Sequence, residues 1–325
     1  MIEKKPLLNV EGISKRYSLR RSLRDSLLRR PAPQLVAVDN VSFSINRGTV
    51  LGIVGESGSG KTTLARCLIR LIEPDTGIVS FSNKRIDNAS SSNLRNIRKD
   101  IQMVFQDPYT SLNPRMSIGA ALAEAGQVHG TIGISGEKDF VSNLLKLVGL
   151  PSSFAMRRPR QLSGGQRQRA AIARALAVRP TMLIADEAVS ALDVSIQGQI
   201  LNLFRELRKE LELTIIFIAH QLSVISHVAD EVAVMYLGKI VEHGTTKEIF
   251  SNPKHPYTKA LLAAHPHPDP REKSVPQMQG DIPSPLDLPR GCRFFTRCPQ
   301  AVTVCSDTVP DLLQRGDDHK VACHF

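Results

Sequence analysis

The run Gly55-Glu-Ser-Gly-Ser-Gly60-Lys61-Thr62-Thr63 limits this chain to a narrow group of folds. It follows the apolar, β-branched segment Thr49-Val-Leu-Gly-Ile-Val54 and precedes a helix-type run from Leu64 to Leu71. A buried strand, a glycine-rich turn and a helix in that order form a phosphate-binding loop. Gly55, Gly58 and Gly60 let the backbone curl so that successive N–H groups face phosphate oxygens. The helix adds the positive end of its dipole. The G-x-x-x-x-G-K-[ST] spacing lets Lys61 reach β- and γ-phosphates and Thr62 offer its hydroxyl to Mg²⁺. Glu56, Ser57, Ser59 and Thr63 complete the loop. Such a loop alone does not separate kinases, GTPases and transport ATPases.

Further strands alternate with helices. Ile101–Phe105, Thr181–Ala185 and Thr214–Ala219 are short, apolar and β-rich, whereas 118–160, 163–178 and 195–211 carry helical patterns, the first broken by a glycine-rich patch at 126–136. Residues 7–17 and 34–54 are also β-rich. The order predicts an α/β fold: a phosphate-loop core with an inserted helical subdomain and an N-terminal antiparallel β subdomain. Asp186-Glu187 ends the strand that begins at Thr181, where α/β sheets bind ligands. Asp186 fits a Mg²⁺-holding carboxylate, and Glu187 fits the base that orients an attacking water.

Leu162-Ser-Gly-Gly-Gln-Arg-Gln-Arg169 is the most specific stretch. It resembles the signature sequence of ATP-binding cassette ATPases, with Ser163, Gly164, Gly165 and Gln166 opening a helix whose N–H groups can receive phosphate. The resemblance covers nearly the whole chain and implies a head-to-tail dimer that sandwiches two ATPs. It implies further that Tyr17 stacks on adenine and that Gln106 contacts Mg²⁺ and the permease. Ser190-Ala-Leu-Asp193 matches the dimer-contact loop, and His220 matches the histidine that reaches the γ-phosphate. Ala188-Val189 and Gln221 depart from the commonest pattern, as do Arg158 and Arg160, yet no catalytic group is lost.

Val104-Phe-Gln-Asp-Pro-Tyr-Thr-Ser-Leu-Asn-Pro-Arg-Met116 resembles the same loop in ATPases of oligopeptide, dipeptide and nickel importers. So do Val234–Glu242, His255–Leu262 and Gly280–Pro285. The expected domains are a cassette over 1–252, with its helical subdomain at about 107–178, and a C-terminal extension over 253–325. The implied activity is ATP hydrolysis coupled to import. The implied partners are a second, non-identical cassette subunit, two permease membrane subunits and an external solute-binding protein, at the cytoplasmic face of the inner membrane.

From about Pro253 prolines crowd and periodicity fades, which predicts an irregular tail. Four of the five cysteines lie there: Cys292, Cys298, Cys305 and Cys323. In a reducing cytosol this clustering favours metal over disulfides. Four thiolates can hold a [4Fe–4S] cluster or a structural zinc, with buried thiols as the third reading. The cysteine-rich tail is similar to that of peptide-importer ATPases, some of which carry a cluster. Cys67, on the helix after the loop, reads as a small buried residue.

The net charge of +11 attracts polyanions. Part of it sits in the basic stretch Lys15–Arg30, either a solvated insertion or a lipid-facing one. A soluble cassette ATPase acting on nucleic acid is therefore the alternative function. It is disfavoured because the chain has one cassette and no sustained heptads, so no nucleic-acid partner is expected. No apolar run reaches the ~20 residues of a spanning helix.

Overall fold

The computed structural model describes residues 5–19, 32–107, 111–132, 136–264 and 280–325. The basic insertion lies outside the described residues from position 20 to 31. In chain order the elements are β1 (Leu8–Ser18), β2 (Gln34–Ile45), β3 (Val50–Val54), α1 (Lys61–Leu68), β4 (Thr76–Phe81) and β5 (Lys84–Arg85). Next come α2 (Ser91–Asp100), β6 (Ile101–Val104), α3 (Ile118–Val128), α4 (Glu137–Leu147), α5 (Gly164–Leu176) and β7 (Met182–Asp186). Then follow α6 (Val194–Leu211), β8 (Thr214–Ala219), α7 (Leu222–Ser226), β9 (Glu231–Tyr236), β10 (Lys239–Thr245) and α8 (Thr246–Ser251). The last are α9 (Pro256–Ala263), α10 (Thr303–Asp307), β11 (Leu313–Gly316) and β12 (His319–Val321).

The chain divides into two compact units. One holds Ile45–Leu51 and Asn88–Ala219 with the first few residues, and the other holds Leu8–Ser44, Gly52–Asp87 and His220–Phe325. In the first unit β6, β7 and β8 pair in parallel, Ile101 facing Met182 and Met182 facing Thr214. Every residue of β7 and β8 is buried, as a sheet covered on both faces requires. Helix α6 meets this core through Ile200, Leu203, Phe204 and Leu207, one face of a 3.6-residue helix. Phe204 meets Phe217 of β8 edge to face, with centroids 5.3 Å apart. The helical region separates into α3 and α4, followed by two 3₁₀ turns at Ser152–Met156 and Pro159–Gln161.

The second unit holds an antiparallel sheet ordered β2-β1-β4-β5. A further run of strands lies in the order β11-β12-β10-β9-β3. The tail is thus more regular than its proline content predicts. Glu242 of β10 faces Val321 of β12, and Glu242 is fully buried. Its carboxylate accepts from the Lys254 and His255 amides at 2.7 and 3.0 Å and meets His319 Nε2 at 2.7 Å. A buried carboxylate needs such partners, and these fix α9 and β12 against β10.

Candidate functional site

In the second unit the phosphate loop joins β3 to α1. Gly60 is the residue before the helix, with φ +100°. A side chain there would place Cβ 2.0 Å from the Ala37 carbonyl oxygen, so only glycine fits. The loop is pinned from behind: the Gly238 amide donates to the Ser59 carbonyl at 2.8 Å, and the Asp39 amide donates to the Gly238 carbonyl at 2.9 Å. Lys61 is buried and donates to the Gly55 and Glu56 carbonyls at 2.8 and 3.0 Å, and to Ser59 Oγ at 3.4 Å. Its ammonium thus lies along the inside of the loop. The first turn of α1 carries no acidic residue, which leaves its positive end unopposed. Ser57 and Gly58 are exposed, and Thr62 and Thr63 are half-buried.

Glu56 has partners that are far away in sequence. Arg297 grips its carboxylate through two hydrogen bonds, Nη1 to Oε2 at 2.8 Å and Nη2 to Oε1 at 3.1 Å. The Glu56 amide donates to the Tyr257 hydroxyl at 2.9 Å. Tyr236, Tyr257 and Phe294 form a buried aromatic cluster with centroids 4.6 to 5.4 Å apart. The Tyr236 hydroxyl lies 3.3 Å from Arg297 Nη1. The Glu56 carboxylate and the Tyr236 hydroxyl hold the Arg297 guanidinium in its charged form, against burial. Burial pushes the Tyr257 hydroxyl well above the usual phenol range, so it stays protonated. Nearby, Arg293 bonds the Leu237 carbonyl and the Asp39 carboxylate. None of these contacts is visible in a local sequence pattern.

Tyr17 is half-buried on β1, with the Lys15 ammonium 5.7 Å from its ring centre. Lys15 in turn pairs with Asp75 at 2.7 Å. His220 follows β8 and is exposed.

In the first unit, buried Asp186 ends β7. Glu187 follows with φ +48°, a left-handed conformation that a non-glycine residue adopts at a cost of about 1–3 kcal/mol. Its amide donates to the Ile218 carbonyl at 3.1 Å, and its own carbonyl accepts from Ser190 Oγ at 3.0 Å. Gln106 Nε2 reaches the same Ser190 Oγ at 3.5 Å. The structure therefore brings Gln106, Asp186, Glu187 and Ser190 together. Asp193 precedes α6, and its carbonyl accepts from the Gln197 amide.

Ser163 caps α5: its Oγ accepts from the Gln166 amide at 3.3 Å, while Gln166 Oε1 accepts from the Ser163 amide at 3.1 Å. This reciprocal pair is a capping box. It orients the start of the helix and leaves the Gly164 and Gly165 amides at the tip. A Cβ at Gly165 would lie 2.5 Å from Ile196 Cγ2. Arg167, buried beneath the turn, donates to the Pro159 and Leu162 carbonyls.

All five cysteines are free thiols, with Cys67 and Cys305 buried. The Cys292 thiol is pushed up to about 11, chiefly by burial and also by Cys305, Cys323 and Cys298, which places the four in each other's field. The Cys292 amide donates to the Cys305 carbonyl at 2.8 Å. Among the described residues no three His, Cys, Asp or Glu side chains are gathered closely enough to hold a metal ion. No helix among them is long and apolar enough to cross a membrane.

A family described as "ABC transporter" matches residues 38–190, and one described as "Oligopeptide/dipeptide transporter, C-terminal region" matches residues 241–305. The chain is 47% identical to the oligopeptide transport ATP-binding protein AppF of Bacillus subtilis, over 93% of each chain. It is 45% identical to the dipeptide transport ATP-binding protein DppF of Haemophilus influenzae, over 99% of this chain and 97% of that one. Among solved structures, cbiO1 of Clostridium perfringens matches with a TM-score of 0.64 at 30% identity, over 76% of this chain and 91% of that one. The cassette MJ0796, in a dimeric post-hydrolysis state bound to ADP and Pi, matches with a TM-score of 0.62 at 26% identity, over 74% of this chain and 98% of that one. With its phosphate loop, signature helix and acidic strand end in place, the chain belongs to the ATP-binding cassette ATPases of the oligopeptide and dipeptide transporter family.

Proposed function

We propose that the chain is the ATP-hydrolysing subunit of an importer for peptides or peptide-like solutes. The observation that carries this is the continuous likeness to peptide-transport ATP-binding proteins across both the phosphate-loop region and the C-terminal extension. It works with a second cassette subunit head to tail, and two permease subunits and an external solute-binding protein complete the assembly at the cytoplasmic face of the inner membrane. The nucleic-acid alternative rests on net charge alone, and the relatives' names all concern transport.

Within the site, the loop Gly55–Thr63 receives the phosphates, Lys61 supplies a cation, and Thr62, Asp186 and Gln106 are the Mg²⁺ set. Glu187 orients the attacking water, with His220 at the γ-phosphate and Tyr17 on the adenine. Ser163 to Gln166 serve the nucleotide of the opposite subunit, and Asp193 belongs to the dimer-contact loop beside the ATP. Preorganised donors aimed at developing charge supply most of such a rate enhancement. Residues about 107–178 act as the helical subdomain, and 253–325 as the extension that follows the cassette at 1–252.

Cys292, Cys298, Cys305 and Cys323 would hold a [4Fe–4S] cluster, with zinc as the other soft-metal occupant, only once the four side chains draw closer together than in the structure described above. Their all-thiol donor set and mutual field support this. A bound metal would draw off the thiol protons and cross-link the tail.

The decisive experiment measures uptake of a labelled peptide mixture in cells lacking the chain, complemented by wild type or by Glu187→Gln. Wild type should restore uptake. The variant should bind ATP in purified form yet lose about 100-fold or more in turnover. Uptake restored equally by Glu187→Gln would sink the assignment.

A further inference from the structure

The ion pair between the extension and the phosphate loop makes a prediction about nucleotide binding that rests on the reading above. Arg297 stands on the 3₁₀ turn Phe295–Arg297, immediately before Cys298. Its side chain is only 6% exposed and that of Glu56 21%, so water screens the pair far less than a surface bridge. The bidentate geometry fixes direction as well as distance. Glu56 is the second residue of a loop whose amides must face a polyanion. A free carboxylate there would oppose the triphosphate's charge.

We propose that Arg297 and Tyr257 are positioning residues for ATP: Arg297 neutralises Glu56 and holds its carboxylate against the extension, while the Tyr257 hydroxyl occupies the Glu56 amide. The later amides of the loop, from Ser57 onward, are then the ones presented to phosphate. The aromatic cluster of Tyr236, Tyr257 and Phe294 holds both groups rigid. Arg297 lies 5.9 Å from the ring centres of Tyr236 and Phe294. The extension thereby acts on the nucleotide site itself, through two side chains 201 and 241 residues away from Glu56 in sequence.

The test titrates fluorescent ATP, ADP and AMP analogues into the full-length chain, and measures KM and kcat for ATP in the assembled importer. Arg297→Ala should weaken ATP binding roughly ten-fold, ADP less and AMP little, because Coulomb repulsion scales with ligand charge. The loss should appear in KM more than in kcat. Arg297→Lys should recover part of it. Removing Glu56 as well, in Arg297→Ala/Glu56→Ala, should restore ATP binding to within about three-fold of wild type. Glu56→Gln alone leaves Arg297 folded in place and unpaired, and should tighten ATP binding.

Equal losses for ATP, ADP and AMP, or a double variant no better than Arg297→Ala, would overturn the proposal and leave a structural contact only. So would weaker ATP binding in Glu56→Gln, a result available even if Arg297→Ala does not fold. Wild-type protein that binds no ATP would overturn the nucleotide-site reading too. Wild-type binding with an unaltered Arg297→Ala sinks the positioning role alone.

Discussion

Lys61 donates to the carbonyl of Gly55 at 2.8 Å, reaching back across its own loop. With Glu56 and Ser59 as its other acceptors, the ammonium holds the loop in shape before any phosphate arrives. Lys61→Ala should therefore do two things. It should lower ATP affinity by about 30-fold or more, and it should destabilise the nucleotide-free protein by about 1–3 kcal/mol, since buried acceptors lose their donor. Urea unfolding without nucleotide checks the second effect, and an unchanged midpoint would leave Lys61 with a ligand role only.

The steric limit at Gly60 gives a paired prediction. A Cβ there meets the Ala37 carbonyl at 2.0 Å with φ at +100°, whereas one at Gly58 meets nothing within 4 Å at φ +79°. Gly58→Ala should cost only about 1–2 kcal/mol for the left-handed backbone. Gly60→Ala adds a clash with main chain that cannot swing aside, for about 3 kcal/mol or more in all. Thermal unfolding of the two variants side by side should show the larger drop at Gly60, and equal drops would refute the steric account.

These loop features were legible because they are local. Glycine spacing, a lysine and a flanking apolar strand fall within about twenty residues, and β3, β7, β8 and α1 stand within a few residues of where their patterns place them. The capping box was also readable as Ser163-x-x-Gln166, although the motif drew attention to phosphate instead. Arg297 and Tyr257 were not legible, since nothing in either neighbourhood points to a partner more than 200 residues away. Strands β11 and β12 escaped for another reason. Four and three residues long, with β11 exposed throughout, they are too short to show a period, and buried Glu242 does much to decide where β12 lies.

Acid should loosen the extension through His255. Its Nδ1 accepts from the Tyr257 amide at 3.1 Å, capping α9, and burial pushes its pKa down from 6.5 to about 4. Between those values the unfolded chain binds a proton that the folded chain refuses. Its contribution is thus complete above about pH 6.5 and is lost as pH falls towards 4, by up to about 3 kcal/mol. His255→Asn keeps a capping acceptor without the titration. Urea midpoints at pH 7 and pH 5 should differ more for wild type than for the variant, and parallel shifts would refute the assignment.

The four tail thiols predict a metal-dependent signal. Protein purified without oxygen should carry iron with absorbance near 400 nm if a cluster is bound, or zinc and no such band if it is not. Cys305→Ser should remove most of either metal and lower the melting temperature. Metal-free wild-type protein with the same melting temperature as Cys305→Ser would show that these are simply buried thiols.

The pairing of β12 with β10 has a consequence for how the molecule is made. The edge of β10 is completed by residues 319–321, a segment made long after β10 itself. Arg297, the partner of Glu56, likewise follows it by 241 residues. Until both segments have been synthesised the phosphate loop has its glycines and its lysine but not its guanidinium, and Glu242 lacks His319. A chain cut before Arg297 would therefore carry an intact motif in an unfinished site.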